Sequence, residues 1–324
     1  MDKINQQSTI IKMSNTNEQI VKDLLFLRFS QILINEEGKA GKFKIPIHLA
    51  LGHEAIAVAI NRVLKDGDKL VLSHRNIEFN LMQCGKLRPI LDEYLLKSDG
   101  IMGGRLGSMN LINPAKGIIY SSSILGNNFS VAQGIAMAHK LRSESLVTFV
   151  FGGDGSIEEG SFYENILNAK SWGTSLVFLI ENNEWSLGTH ISERRHEINL
   201  EKLCGSLEVP YLKIQGNSVS DYIEVISELR KSSLENMGPI CAEISVKTLG
   251  DWKAEDGRYI NYHAGLARTI DLVNLLPVGG IIKESDEDPL FVISKTMDKK
   301  EYLELSKTVL NELNATRNSG FSGP

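Results

Sequence analysis

Continuously apolar strands that alternate with helices in the middle of the chain constrain its fold more than any other feature. The runs SLVTFVF (145–151) and SLVFLIE (175–181) have the unbroken hydrophobicity of strands buried on both faces of a parallel sheet. A helical segment over Glu159–Trp172 joins them, and a strand, a helix and another strand follow before residue 246. The alternation predicts an α/β fold, a doubly wound parallel sheet with helices on both faces.

The flanking segments predict further helices and one loop. Helical periodicity begins at Gln19, and residues 54–64 and 301–314 also have apolar positions at helical spacing. We expect the glycine-rich stretch 100–107 to be a functional loop rather than a linker. The expected division of the chain is one domain between two disordered tails, the first of which could instead be extended: 1–18, 19–314 and 315–324.

Composition excludes several classes of function. The net charge of −5 provides no basic footprint for nucleic acid. No apolar run approaches the roughly 20 residues of a membrane span, and the polar N-terminus has no signal-peptide character. The 3 cysteines are far apart and form neither a metal pattern nor a disulfide framework. We therefore expect a cytoplasmic protein that binds neither nucleic acid nor membrane.

Two polar residues follow neighbouring apolar strands. Asp154 and Asn183 lie 29 residues apart, the length of one turn, one crossover helix and one return strand. Ligands of open α/β sheets bind at the carboxyl ends of the strands, and carboxylate and amide oxygens suit Mg²⁺ or Ca²⁺. The glycines beside Asp154 let a phosphate approach the backbone at the start of the next helix. The residues predict a metal–diphosphate site; the alternative is a tight turn with a helix cap and an ordinary strand end.

The segment from Gly153 to Thr189 resembles the thiamine diphosphate fingerprint, which opens with Gly-Asp-Gly and closes with Asn-Asn. From about His48 to Lys247, which is most of its length, the chain is similar to the alpha subunits of the first component of 2-oxo acid dehydrogenase complexes. Separate blocks resemble that family in the same order: HLALGHEA (48–55), DKLVLSHRN (68–76), GGRLGSMN (103–110) and residues 122–138. The resemblance implies the thiamine diphosphate-binding fold.

The same resemblance assigns the metal and diphosphate residues. Asp154 and Asn183 would bind Mg²⁺ through their side chains, and Trp185 through its carbonyl. Arg75 matches an arginine that contacts the diphosphate, for which a guanidinium has suitable geometry; the alternative is a surface cation. His74 replaces a family tyrosine beside it. The glycine turn completes the diphosphate set: Gly153, Gly155 and Ser156, the last two through backbone amides.

Other matches concern the ring end of the cofactor and the substrate. Ser123, Leu125 and Gly126 match the loop that holds the aminopyrimidine, with Leu125 supporting the bent cofactor; the alternative for Leu125 is ordinary core packing. His48 matches a histidine that faces the substrate, and it could equally be structural. His263 in NYHAG resembles a histidine of transketolases, with a solvated loop histidine as the alternative. His48 and His263 are the candidate catalytic residues.

Three positions depart from the dehydrogenase pattern. Histidines of that family are replaced by Ile77, Asn110 and Leu249. These histidines serve proton transfer and acyl transfer to lipoyl groups, which need a group that titrates near neutrality. The segment SSILGNNFSVAQGIAMAHKL also has transketolase character. The replacements favour a pocket less suited to lipoyl acylation.

The resemblance implies an alpha subunit that decarboxylates a 2-oxo acid with thiamine diphosphate and Mg²⁺ and transfers the acyl unit to an acceptor. The activating glutamate would come from a beta subunit in an α2β2 heterotetramer, and a lipoyl-bearing acyltransferase is a further expected partner. Two alternatives stay open: a split transketolase or acyloin-forming subunit, and a non-catalytic scaffold subunit. A nicotinamide-binding protein is disfavoured because no Gly-x-Gly-x-x-Gly opens the first helix.

Overall fold

The structure, a computed structural model, describes residues 2–318 apart from 254–258, 262–266 and 268–270. Its side chains are described for residues 18–250, 267 and 271–316. The helices are α1 (Asp2–Lys39), α2 (Glu54–Val63), α3 (Ile77–Cys84), α4 (Leu87–Tyr94), α5 (Asn127–Leu141), α6 (Gly160–Trp172), α7 (Ile191–Arg194), α8 (Leu200–Ser206), α9 (Val219–Glu235), α10 (Pro289–Ser294) and α11 (Lys299–Asn318). The strands are β1 (Lys69–Ser73), β2 (Ile118–Ser122), β3 (Thr148–Gly153), β4 (Leu176–Asn182), β5 (Trp185–Ser186), β6 (Thr189–His190), β7 (Tyr211–Ile214), β8 (Ile240–Ser245), β9 (Asp251–Lys253) and β10 (Tyr259–Asn261).

Six of the strands form one parallel sheet in the order β2-β1-β3-β4-β8-β7. The chain goes from β1 to β2 on one side and then returns to place β3 on the other side of β1. The gap between β1 and β3 is therefore the topological switch point of the sheet, the position at which open α/β sheets bind their ligands. Two antiparallel hairpins, β5-β6 and β9-β10, lie outside this sheet.

Alternate residues of each central strand point into two separate cores. Phe149 and Phe151 of β3 pack with side chains of α1, α2 and α9. Val150, between them in sequence, packs on the opposite face with α5, α6 and α8. Because β3, β4 and β8 are covered on both faces, most of their residues are apolar. The predicted fold, a doubly wound parallel sheet with helices on both faces, is confirmed.

The helices form for local reasons that the sequence contains. In α9 the buried positions Val219, Tyr222, Ile226 and Leu229 recur at three- and four-residue spacing. Its first turn is capped by Ser218, whose hydroxyl accepts a hydrogen bond from the backbone N–H of Asp221 at 3.3 Å. Helix α6 ends at Gly173, which adopts the left-handed conformation (φ 58°) that stops a helix there.

The structure differs from the sequence-based expectations at both ends of the chain. Helix α1 begins at Asp2 rather than at Gln19, because a helix extends at little cost per residue from an anchored segment. Helix α11 continues to Asn318, into the region predicted as a tail. Strands β1 and β2 were not among the predicted strands. The limits of the single domain, 19–314, stay a prediction.

A buried ionic cluster joins α1, α2 and the C-terminal segment. The guanidinium of Arg28, fully buried, donates to Glu54 at 2.5 and 3.1 Å and to Asp288 at 3.0 and 3.2 Å. Glu54 also accepts the backbone N–H of Gly52 at 2.8 Å. The cluster therefore fixes the turn that precedes α2, which carries His53 into the site described below.

A second buried carboxylate organises the glycine-rich loop. Glu93 is fully buried and accepts the backbone N–H groups of Met102, Gly104 and Leu106 at 2.9, 2.8 and 2.8 Å. Gly104 has a positive φ of 71°, and a Cβ there would lie 2.5 Å from the backbone of Leu96. Loop 100–107 is therefore shaped from the inside by one side chain and by a glycine that no other residue could replace without a shift.

Candidate functional site

A small cavity opens at the carboxyl ends of β1, β3 and β4. Val71 of β1 is paired with Val150 of β3, and Gly153 of β3 with Glu181 of β4, so the three strands end at the same edge. The cavity encloses about 50 Å³. It lies at the β1/β3 switch point, where the sheet order leads us to expect a ligand.

Most of the residues that the sequence analysis selected line this cavity. They are His74, Arg75, Leu125, Gly153, Asp154, Gly155, Ser156, Asn183 and Trp185. His53 and Glu181 line it as well and were not selected from the sequence. Ser123 and Gly126 flank Leu125 in the chain without lining the cavity themselves. His263 lies outside the described residues.

Asp154 lies at one side of the cavity and is 2% exposed. Its carboxylate accepts a hydrogen bond from the guanidinium of Arg194, a residue of α7. The same guanidinium also donates to Glu158. Burial raises the pKa of the Asp154 carboxyl above its usual range, and the charge of Arg194 opposes this rise without cancelling it. Arg194 is a residue of the site that sequence reasoning missed, because nothing in the local pattern around α7 relates it to Asp154.

Asn183 lies at the other side and is 7% exposed. Its amide nitrogen donates to the hydroxyl of Thr248 at 2.9 Å, and its amide oxygen accepts the backbone N–H of Trp185 at 3.0 Å. Behind Thr248 stand His53, at 2.9 Å from the threonine oxygen, and Glu181, at 2.9 Å from the histidine Nδ1. The two predicted metal ligands thus share one cavity and have different neighbours.

The glycine turn between them is closely packed. The backbone N–H of Gly153 donates to the hydroxyl of Ser156 at 3.3 Å. A Cβ at Gly155 would lie 2.8 Å from the side-chain oxygen of Ser186. The turn around Asp154 therefore has no room for a larger residue at position 155, and its backbone comes directly to the cavity wall.

Arg75, His74 and His48 form the wall on the β1 side. Arg75 is 7% exposed, so it is not a surface cation, and its guanidinium donates to the carbonyl of Leu49. The rings of His48 and His74 meet edge to face, 4.8 Å apart. Burial, followed by the positive charge of Arg75, lowers the pKa of His48 to about 4. His48 is therefore a neutral imidazole at neutral pH, and it contacts His74, which lines the cavity.

The loop after β2 carries Leu125 to the cavity mouth. Leu125 is 38% exposed and its neighbour Ile124 is 66% exposed, so neither belongs to the core. The carbonyl of Gly126 accepts the hydroxyl of Ser161 at 3.0 Å. With φ at 77°, a Cβ on Gly126 would lie 2.5 Å from that hydroxyl. An apolar side chain is thereby held open to solvent beside a polar cavity.

Two of the positions that depart from the dehydrogenase pattern are apolar and buried. Ile77, the first residue of α3, is 1% exposed, and Leu249 is 6% exposed. The backbone N–H of Leu249 donates to the carbonyl of Leu51 at 2.7 Å. Asn110 is exposed. Ile77 and Leu249 therefore serve packing.

Within the part of the chain that the structure describes, no helix combines the length and the apolar character needed to cross a membrane.

Comparison with known proteins gives matches of two kinds. The profile of the family described as dehydrogenase E1 component matches residues 24–247. The mitochondrial pyruvate dehydrogenase E1 component subunit alpha of Saccharomyces cerevisiae is 28% identical over 238 residues, which are 74% of this chain and 56% of the yeast protein. The pyruvate dehydrogenase E1 component subunit alpha of Rickettsia conorii is 25% identical over 90% of this chain and 86% of its own length. The chain thus spans little more than half of the yeast relative.

Solved structures of transketolases share the fold. A transketolase variant from Pichia stipitis superimposes with a TM-score of 0.59 at 15% identity, covering 94% of this chain and 46% of that one. The transketolase of Campylobacter jejuni gives a TM-score of 0.57 at 18% identity, covering 92% and 48%. The fold and the position of its cavity place the chain in the class of doubly wound α/β proteins that share the transketolase architecture. Within that class the chain belongs to the dehydrogenase E1 component family, because the family profile covers more than half of it.

Proposed function

We propose that the chain is the alpha subunit of a thiamine diphosphate- and Mg²⁺-dependent enzyme of the 2-oxo acid dehydrogenase type. The enzyme decarboxylates a 2-oxo acid and transfers the acyl unit to an acceptor. The observation that carries the proposal is that Asp154 and Asn183 meet at one switch-point cavity in a member of the dehydrogenase E1 component family. The similarity to pyruvate dehydrogenase E1 alpha subunits supports the same choice.

The residues present fit a magnesium ion bound together with a diphosphate. The carboxylate of Asp154, the amide oxygen of Asn183 and the carbonyl of Trp185 are the oxygen donors that we assign to Mg²⁺. Among the described residues, no group of three or more His, Cys, Asp or Glu side chains is arranged to hold a metal. Such a sparse donor set suits Mg²⁺, which takes few protein ligands and completes its shell with phosphate oxygens and water.

The diphosphate would lie between the glycine turn and Arg75. Gly153, Gly155 and Ser156 bring backbone to the cavity wall, and the buried guanidinium of Arg75 supplies positive charge and a forked donor there. His74, which lines the same wall, would contact the diphosphate where the resembled family has a tyrosine. One wall of the cavity thus offers oxygen atoms that suit a cation, and another offers N–H groups and positive charge that suit an anion.

Thiamine diphosphate, when bound, supplies the electron sink for decarboxylation. The chain supplies orientation: Leu125, with Ser123 and Gly126 in the same loop, would support the aminopyrimidine. His48 would face the substrate as a hydrogen-bonding group rather than as a proton donor, because its pKa is about 4. His263 is proposed as a second histidine on the substrate side.

The activating glutamate is proposed to come from a beta subunit in an α2β2 assembly. The cavity of this chain encloses about 50 Å³, whereas pockets for ligands of cofactor size enclose roughly 300–1,000 Å³. The transketolase chains are about twice as long as the part matched, since nearly the whole of this chain covers 46–48% of theirs. Both facts support a site completed by a second chain.

We propose a cytoplasmic location from the cysteines, which are free in the structure.

A second candidate is a split transketolase or acyloin-forming subunit, in which the acceptor is an aldehyde. The observation that favours it is the burial of Ile77 and Leu249, which leaves no titratable side chain where the resembled dehydrogenases have histidines. Assays of the assembled enzyme with two acceptors separate the candidates. Acylation of a lipoyl domain supports the dehydrogenase and its lipoyl-bearing acyltransferase partner; condensation with an aldehyde supports the transferase.

The test of the proposed function is Mg²⁺-dependent thiamine diphosphate binding and 2-oxo acid turnover by the full chain, with and without a beta-type partner chain. We expect both with the partner, and loss of both in Asp154→Ala. The exposed residue Asp66, in the turn before β1, provides the control variant Asp66→Ala. Full turnover by the chain without a partner would contradict the role as an alpha subunit. Unchanged turnover of the assembled Asp154→Ala variant would support the non-catalytic scaffold instead.

A further inference from the structure

Four polar side chains form a continuous buried chain at one wall of the cavity. They run from Glu181 at the end of β4, through His53 and Thr248, to Asn183. Their exposed fractions are 8%, 2%, 3% and 7%, and each of the three contacts measures 2.9 Å. Such a fully paired buried network rigidifies the groups in it, because an unpaired polar group there would be costly.

The hydrogen bonds in this chain are compatible from one end to the other. The amide nitrogen of Asn183 donates to the hydroxyl oxygen of Thr248. In the tautomer whose ring proton is on Nδ1 of His53, facing the carboxylate of Glu181, Nε2 accepts the hydroxyl proton of Thr248.

These hydrogen bonds define which way the Asn183 amide faces. Its nitrogen points toward Thr248, and its oxygen points to the other side, where it accepts the backbone N–H of Trp185 at 3.0 Å. An amide oxygen has two lone pairs, so one remains for the cavity. Rotation of the amide by half a turn would oppose its NH₂ to the N–H of Trp185 and present a donor to any cation.

We propose that Thr248 and His53, anchored by Glu181, are positioning residues that hold the amide oxygen of Asn183 toward the metal position. The proposal rests on the proposed function, because it takes Asn183 as a ligand of Mg²⁺. Outer partners of this kind orient metal ligands in many proteins, and their loss weakens metal binding roughly 10- to 100-fold. Thr248 is not among the residues that line the cavity, and His53, which does line it, would act on the metal position through Thr248 and Asn183.

The backbone around the network is built to hold these side chains in register. A Cβ on Gly52 would lie 2.1 Å from the carbonyl of Lys247, so the segments that carry His53 and Thr248 are in direct backbone contact. The N–H of Leu249 donates to the carbonyl of Leu51 at 2.7 Å across the same contact. Two segments far apart in sequence are therefore fixed against each other beside the point where the amide is oriented.

The experiment measures the dissociation constant of Mn²⁺, by electron paramagnetic resonance, and of Mg²⁺, by calorimetry, with thiamine diphosphate present. The protein is the full chain in the assembly in which it is purified. Thr248→Val removes the hydroxyl at nearly constant shape and Thr248→Ser keeps it. We expect metal binding to weaken roughly 10- to 100-fold in Thr248→Val and to return to within a few-fold of the wild type in Thr248→Ser. Equal weakening in both variants would show that the methyl packing matters and would overturn the proposal.

A double-variant cycle removes the ambiguity of a folding defect. In Asn183→Asp both terminal atoms are oxygens, so orientation no longer matters, and Thr248→Val should have little further effect on metal affinity in that background. An undiminished effect there would contradict the proposal. Asp154→Ala and Asn183→Ala distinguish a failure of the proposed function from a failure of this inference alone. If neither weakens metal binding, the proposed function fails; if both do and Thr248→Val does not, only this inference fails.

Discussion

The two proposed metal ligands are held in different ways, although they share one cavity. Asn183 is tied into a buried chain of hydrogen-bonded side chains that ends on the carboxylate of Glu181, and its partner Thr248 comes from a distant segment. Asp154 has one charged partner, Arg194, from the four-residue helix α7. An amide has two unlike ends and must be oriented before a cation arrives. A carboxylate has two like ends and needs a counter-charge instead, because a buried unpaired charge is costly.

The largest expected effect concerns the buried ionic cluster of Arg28, which fixes the turn that carries His53 on the Asn183 side. Arg28→Ala would leave Glu54 and Asp288 as uncompensated buried carboxylates, and breaking such a pair costs about 3–5 kcal/mol. We expect the free energy of unfolding, measured in urea, to fall by that amount. Lys22→Ala, which removes an ion pair with Glu18 at the surface, is the control and should change stability by less than about 1 kcal/mol. Equal losses would show that the turn carrying His53 is not anchored by this cluster.

The next test exchanges the two ligand chemistries. Asp154→Asn removes a charge that both the metal and Arg194 require, so we expect metal affinity to fall roughly 100-fold or more, beyond the usual effect of an outer partner. Asn183→Asp keeps an oxygen at the same place, and the loss should stay within about tenfold. Calorimetric titration of Mg²⁺ with thiamine diphosphate measures both. A larger loss of metal affinity in Asn183→Asp than in Asp154→Asn would contradict this expectation, because it would show that the amide at position 183 matters more than the charge at position 154.

A smaller effect is expected from the partner of Asp154. Arg194→Gln removes the cation that competes for the carboxylate, so metal affinity should rise, by up to about tenfold, which corresponds to about 1.4 kcal/mol. The neighbouring Arg195 pairs with Glu158 at 2.9 Å and acts on Asp154 through its charge. Arg195→Gln is therefore the comparison variant, and we expect a smaller rise in metal affinity there than in Arg194→Gln. A fall in affinity in Arg194→Gln alone would show that Arg194 supports the bound metal rather than competing with it.

The smallest effect at neutral pH concerns His48, which lies on the same segment as His53. Its pKa is lowered from 6.5 to about 4 by burial and by Arg75. Above pH 6.5 the residue is neutral in both the folded and the unfolded chain; as the pH falls toward 4, the unfolded chain takes up the proton first and stability is lost. In His48→Gln we expect unchanged stability at pH 7 and a smaller loss between pH 6.5 and 4, measured by urea unfolding. A loss as large as in the wild type would contradict the burial of a neutral imidazole.

The sequence predicted the parts of the fold whose signal is local. Strands β3, β4 and β8 are mostly apolar, and the helices between them have apolar residues at regular spacing. Strands β1 and β2 were missed because five residues such as KLVLS and IIYSS contain too short an apolar run to indicate a strand. The early start of α1 was missed because its first residues have no apolar stripe, and an anchored helix can extend without one.

The site shows the same division between local and distant signals. Asp154 and Asn183 were found because each follows its own strand and the two strands are adjacent. Thr248 and His53 stand 195 positions apart and are brought together only by the backbone contact at Gly52, which no local pattern contains. Arg194 was missed for a similar reason, since it lies 40 positions from Asp154 on a helix of four residues.

The inward-facing carboxylate of Glu93 has a consequence for the tolerance of loop 100–107 to substitution. It holds the backbone of loop 100–107 through three amides, so the conformation of that loop does not depend on what its outward side chains touch. Arg105, exposed on this loop, is free to vary without any change in the path of the main chain. In a loop built in this manner the course of the main chain is independent of the outward side chains, so single substitutions among them carry little penalty in folding.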